Sequence, residues 1–284
     1  MTSESKEPPE TPGTAGSGHE RRLLISGLGL APAGANVIMQ LSRLPIGHAV
    51  VESKVESGSL RKHPLKRTRT TLAYIMVALY GTDHERSVMR REVNEQHRQV
   101  RSANDDDVAY DALDADLQLW VAACMFRGVI DTATFLHGPV DDETYATLLR
   151  RCAAFATTLQ VSESRWPADR VAFDAYFSDA MREVHMDDTT RSYLRGLASL
   201  EFLPPPLARI LGPSHRFLTV GFLPPAFREE LDVTWSSRQQ GRFDKVLAGL
   251  GALNRLLPSF LREFPWNLIE RDTKRRIARG RSVL

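Results

Sequence analysis

His97 lies in the run Val93-Asn94-Glu95-Gln96-His97-Arg98-Gln99-Val100, on a stripe that Met89, Val93 and Val100 mark at helical spacing. The ring should therefore point inward from mid-helix. A buried imidazole needs partners for its nitrogens. Two readings satisfy it. One is a core histidine held by hydrogen bonds, the commoner case for such a residue. The other is a single axial ligand to a haem iron, which takes one neutral imidazole on a rigid helix in an apolar pocket. The cluster Lys66-Arg67-Thr68-Arg69-Thr70-Thr71 stands directly before the apolar run Leu72–Tyr80. Thr70 or Thr71 would cap that helix. Arg67 and Arg69 would either pair with the acidic run Asp105-Asp106-Asp107 or hold haem propionates. Glu52, preceded by Val50 and Val51, is a solvated charge near a helix end or a general base. Cys124 sits on an apolar helix with no basic neighbour to lower its pKa, so it reads as an inert thiol rather than an iron ligand. The basic C-terminus (Lys274, Arg275, Arg276, Arg279, Arg281) complements a last helical turn or contacts a weak anionic partner.

Other chemistries lack their residues. No Gly-x-x-x-x-Gly-Lys-Ser/Thr loop is present to cradle a phosphate. Gly27-Leu28-Gly29 begins like a dinucleotide fingerprint, but Pro32 stands near where a third glycine belongs and no strand–helix unit surrounds it. The zinc spacings His-Glu-x-x-His and Cys-x-x-Cys are missing, as are a Gly-x-Ser-x-Gly elbow and the Glu-x-x-His pairs of a di-iron bundle.

The elements that must position these residues read as helices almost throughout. Residues 1–20 contain no large apolar residue after Met1 and are expected to form a disordered tail, not a signal peptide. Leu23–Gly34 is apolar but too short for a bilayer span, which needs about 20 residues. Helices are expected over Asn36–Leu44, Leu72–Tyr80, Asp83–Ser102, Asp114–His137 and from Asp141 through Leu159. Further helices fit Ala168–Val184, Asp188–Leu200, Pro224–Leu231, Ser236–Leu257 and Ser259–Arg279. Pro204-Pro205-Pro206 and Pro213 read as rigid interhelical turns. No period-2 strand pattern or fixed-length repeat occurs. The fold class is all-α: one globular domain over residues 21–284, with about ten helices enclosing an apolar cofactor pocket.

Composition narrows the partners. The 284 residues carry 37 Lys and Arg against 35 Asp and Glu, a net charge of +2. Such balance provides no field strong enough to argue for nucleic acid or an anionic membrane. Two cysteines cannot build a disulfide framework, which points to a reducing, cytoplasmic compartment.

Read in order, Arg67-Thr68-Arg69-Thr70-Thr71-Leu72-Ala73-Tyr74, Gly81-Thr82, the His97 run, Tyr110-Asp111-Ala112-Leu113-Asp114 and Leu119-Trp120-Val121 resemble the rubber-oxygenase (latex-clearing protein) and MpaB-like oxygenase superfamily. Leu223-Pro224-Pro225-Ala226-Phe227-Arg228 and Trp235-Ser236 resemble its C-terminal part. The resemblance implies an all-helical domain holding haem b, with His97 as the iron's proximal ligand and an Arg-x-x-x-Thr motif at Arg67 and Thr71 beside the haem. It also implies a glutamate base upstream, nearest to Glu52 after a one-residue shift. The activity implied is a dioxygen-dependent oxygenase or oxidase acting on an apolar, isoprenoid-type small molecule by oxidative C=C cleavage. No nucleic acid and no membrane span are implied. Two departures stand out: Thr70 where latex-type members place a lysine, and Ala122 where relatives often carry a histidine. These favour, as the alternative, a helical protein that binds haem or a lipid without turnover. A third reading is a cofactor-free interaction protein using its basic C-terminus.

Overall fold

The computed structural model describes residues 21–52, 62–103 and 106–284. The expected disordered tail, and Asp105 of the acidic run, lie outside them. The described residues form fourteen α-helices and no strand beyond a single antiparallel bridge between Arg101 and Asp111. The count exceeds the expected ten for definable reasons. The stretch Asn36–Leu44 divides into α1 (Ala33–Leu41) and α2 (Leu44–Val51), because Pro45 opens the second helix where its missing N–H is not needed. The segment from Asp141 breaks at Ala153, giving α6 (Asp142–Cys152) and α7 (Ala154–Thr157).

Helix α3 spans Pro64–Tyr80 and α4 spans Asp83–His97. The arginine–threonine cluster thus lies inside a helix rather than ahead of one, which corrects its assignment as a cap. Pro64 starts that helix instead. Gly81 makes the turn because a Cβ there would meet the Val77 carbonyl at 2.5 Å. Thr82 then caps α4 reciprocally: its hydroxyl accepts from the Glu85 N–H at 3.2 Å, and the Glu85 carboxylate accepts from the Thr82 N–H at 2.8 Å. Ala73 and Val77 of one helix pack on Met89 and Val93 of the other.

Helix α5 (Ala115–His137) is capped by Asp114, whose carboxylate accepts from the N–H groups of Asp116 and Leu117. It ends at Gly138, whose φ of 100° suits a residue without a Cβ. It is long and apolar enough to cross a bilayer by length and composition. Here it joins two cores. Leu119, Ala122, Ala123, Phe126 and Ala133 enter one, with Leu72, Met76, Leu148 and Phe155, while Trp120 and Cys124 enter the other, with Ile38, Met39, Leu194 and Phe227.

Helices α8 (Arg170–Ala180) and α9 (Asp188–Ala198) follow, and then α10 (Pro205–Phe222) corrects the expected proline turn. Pro205 and Pro206 occupy its first turn and Pro213 sits inside it. Packing compensates for the lost backbone hydrogen bond: Gly212 sits against the Ser199 carbonyl, and His215 Nδ1 bonds the Ala198 carbonyl at 2.8 Å. After α11 (Pro225–Glu230) and α12 (Ser237–Leu256), the expected last helix divides into α13 (Ser259–Arg262) and α14 (Trp266–Ala278). The last of these returns to pack on α3 and α4.

The Phe126 ring, wholly buried, meets Tyr145 at 5.3 Å and Phe173 at 4.7 Å between ring centroids. Replacing Phe126 with Ala is expected to lower unfolding stability by about 3–5 kcal/mol in chemical denaturation. Thr82→Ala, which removes a cap on the surface, should lower it by only about 1 kcal/mol.

Candidate functional site

The hairpin of α3 and α4 explains why residues thirty positions apart meet. Arg67 lies 13 residues before the end of α3 and His97 lies 14 residues after the start of α4. At 1.5 Å per residue both are about 20 Å from the turn. His97 follows Val93 by one turn on the buried stripe, as expected, but it is the last residue of α4 rather than mid-helix. The chain then turns and folds back: the Ser102 N–H donates to the Tyr110 carbonyl at 2.9 Å and the Ala112 N–H to the Val100 carbonyl at 3.0 Å. Arg101 pairs with Asp111 at 2.8 Å, and Gln118 of α5 donates to the Ala112 carbonyl at 2.9 Å. This pairing sets Tyr110, Asp111 and Ala112 beside His97.

His97 Nδ1 is buried and has no hydrogen-bond partner of normal geometry. Burial and then the neighbouring Arg67 charge push the ring's pKa down to about 4, against weaker opposition from the Ala112 backbone and Asp111. The imidazole is therefore neutral at pH 7 and keeps a lone pair free.

Arg67 is exposed to a water-sized probe, yet desolvation by surrounding protein is the largest influence on it and lowers its pKa. Tyr193 of α9 lies close enough to favour the charge. No carboxylate among the described residues pairs with Arg67. Other enclosed arginines are treated differently. Arg43 stacks 4.5 Å from the Trp120 ring centroid, donates to the Ala180 carbonyl at 2.9 Å and pairs with Glu183 at 3.1 Å. Arg69, expected at the acidic run or a propionate, pairs with Asp272 of α14 at 3.2 Å.

Thr70 and Thr71 both donate to the Arg67 carbonyl, at 3.0 and 2.9 Å. Thr71 is exposed one turn beyond Arg67 on the same face, whereas Thr70, where a lysine was expected from the resemblance, is buried. Ala122 is buried within the core. Burial raises the Cys124 thiol well above its ordinary value and outweighs the charge of Arg43, a basic neighbour not expected from the sequence, so the thiol is inert.

Glu52 caps the end of α2, and its carboxylate accepts from His48 Nδ1 at 2.6 Å and from the Tyr110 hydroxyl. His48 Nε2 meets Asp187 Oδ2 at 2.6 Å, and Asp187 also caps α9 by accepting from the Thr190 N–H at 2.8 Å. Gly47 permits this closeness, since a Cβ there would meet Thr190 at 2.7 Å. His48, Asp187 and Tyr110 were not anticipated. The four-residue spacing of His48 and Glu52 was legible, but Asp187 is 139 positions from His48. A shallow depression lined by Asp188, Arg191, Arg195 and Asp232 lies apart from these groups, and its arginines are paired.

Desolvation lowers the His48 pKa, but the hydrogen bonds and charges of Asp187 and Glu52 outweigh it and raise it above 6.5. For Asp187 desolvation is again opposed, here by the Thr190 N–H and His48, and its pKa falls below 3.8. The stability His48 contributes is thus complete below pH 6.5 and lost as pH rises through its higher folded value. That of Asp187 is present above pH 3.8 and lost on acidification through its lower folded value. In an NMR titration the His48 ring should show a midpoint above 6.5, and one at or below 6.5 would contradict the bridge.

Comparison with known proteins agrees with this arrangement at the level of family. Residues 21–252 match the family described as ER-bound oxygenase mpaB/B'/Rubber oxygenase, catalytic domain. Two relatives, Mb2261 of Mycobacterium bovis and Rv2237 of Mycobacterium tuberculosis, are each 44% identical over 255 residues, covering 90% of this chain and all of the relative. Both are described as uncharacterized. No solved structure matches the chain. This all-helical chain, matched over residues 21–252, belongs to the mpaB/B' and rubber oxygenase catalytic-domain family.

Proposed function

We propose that this chain is a haem-dependent oxygenase or oxidase that uses dioxygen on an apolar, isoprenoid-type small molecule in the cytoplasm. The observation that carries the reading is a pair of side chains: an imidazole held neutral with an unpartnered buried nitrogen, and an arginine whose charge acts on it and which pairs with no carboxylate among the described residues. Both needs point to one kind of ligand. A lone neutral histidine suits a haem iron, and such a guanidinium suits a propionate. No group of three His, Cys, Asp or Glu side chains that could hold a metal occurs among the described residues, so His97 would serve as a single protein ligand. Bound there, haem b would supply dioxygen activation.

The chain's own residues would do the rest. His97 would hold the iron, and Arg67 would fix a propionate and orient the ring. Thr71, freed from a capping role, would present its hydroxyl one turn along the same face. Glu52, kept in place by His48 and Tyr110, would take a proton from the substrate. The apolar helices would exclude water from the substrate. Cys124 and Cys152 are both buried and neither forms a disulfide, which suits a reducing compartment.

Purified protein from cells given a haem precursor should show a Soret band. His97→Ala should abolish it while circular dichroism stays helical, and Arg67→Ala should weaken haem retention. A colourless wild-type protein, or an unchanged band in His97→Ala, would refute the assignment. The buried Thr70 and Ala122, which place no lysine or histidine in those positions, favour a second reading as a non-catalytic haem or lipid carrier. That protein would bind its ligand but consume no dioxygen with any terpenoid.

A further inference from the structure

The last part of the chain presents an apolar ledge. Leu253, Leu256, Phe260, Leu261, Phe264 and Leu268 are between 45% and 81% exposed, all within residues 253–268. They begin immediately after the residues that match the family. They cannot turn inward, because the inner side of the same stretch is already anchored. Asn254 is buried and accepts from the Ser26 hydroxyl at 2.8 Å, Trp266 donates to the Ser26 carbonyl at 2.9 Å, and the Arg262 carbonyl accepts from the Gly27 N–H at 2.7 Å. An apolar surface this concentrated on a rigid support marks an interaction site.

The charge around it says of what kind. The carboxylates nearby are paired with bases: Glu263 with Arg21 at 3.5 Å, Glu270 with Arg21 at 2.7 Å and Lys274 at 2.8 Å, and Asp272 with Arg69 at 3.2 Å and Arg276 at 2.9 Å. Arg255, Arg271 and Arg275 are exposed and pair with no carboxylate among the described residues. Leu268, Arg271 and Arg275 of α14 follow at helical spacing, so that face passes from apolar to cationic. Residues 1–20 offer nothing to cover the ledge, because they contain no large apolar residue after Met1. A second copy meeting it across a two-fold axis would set these arginines against one another.

We infer that residues 253–268 dock this protein on an anionic lipid bilayer, with the leucines and phenylalanines entering the headgroup boundary and Arg255, Arg271 and Arg275 resting on acidic headgroups. The chain lies on the membrane and does not span it there. The inference stands on this surface alone and does not depend on haem.

The test is co-sedimentation of the full chain with vesicles of phosphatidylcholine alone or mixed equally with phosphatidylglycerol. Binding to the mixed vesicles should be at least about tenfold tighter and weaken with added salt. The double variant Leu256→Glu, Phe260→Glu, changed only at exposed positions, should lose binding while remaining helical by circular dichroism. Arg271→Gln with Arg275→Gln should reduce binding toward that seen with neutral vesicles. Equal binding to both vesicle types, no binding to either, or undiminished binding by the glutamate variant would overturn the proposal. So would light scattering that finds a wild-type dimer converted to monomer by the glutamate variant, since the ledge would then join two copies.

Discussion

A 23-residue helix that buries ten of its residues needs cover along most of its length, and α5 draws that cover from both ends of the chain. Helix α1 crosses it closely where Asn36 donates to the Cys124 carbonyl over Gly128, and α12 packs along its other flank. Side chains such as Trp120 and Phe126 have no exposure at all. Burial of this kind is the dominant favourable term in folding, and it joins the two cores into one body. The site depends on it directly. Asp114 starts α5, and Gln118 in its first turn holds the Ala112 carbonyl beside His97.

Arg21, Arg43 and Arg69 each meet carboxylates, carbonyls or aromatic faces. Arg67 pairs with no carboxylate among the described residues, and the protein around it lowers its pKa next to a histidine that its charge helps keep neutral. Shifted groups that meet in this way are candidates for a place that receives a ligand. The chain end supports it mechanically, because α14 anchors α3 through Asp272 and the terminal Val283 buries against α4. The same segment that steadies the site from within turns its leucines and phenylalanines outward.

Helix boundaries with local chemistry were legible from the residues. Asp114, Asp141 and Ser236 all cap where capping predicts, and Gly138 stops α5. Boundaries decided by packing were not. Prolines at 205, 206 and 213 argue for turns, yet contacts with Ser199 and Ala198 hold the segment as an 18-residue helix. The start of α3 at Pro64 placed the two threonines inside the helix, where their hydroxyls bond back to the Arg67 carbonyl instead of capping.

By itself, then, the sequence determined the all-α class, the two helices either side of Gly81-Thr82, and an inward-facing His97 whose nitrogens need partners. These follow from short-range rules: capping, periodicity and the chemistry of each side chain; it was the resemblance that singled out Arg67. Only the tertiary structure decided that His97 ends its helix with a nitrogen unpartnered, that Arg69 finds Asp272 while Arg67 finds no carboxylate among the described residues, and that His48 bridges Glu52 to Asp187. Each of those outcomes is a pairing, or a missing pairing, between segments distant in sequence. Such pairings are set by how the helices pack, and no local spacing encodes them.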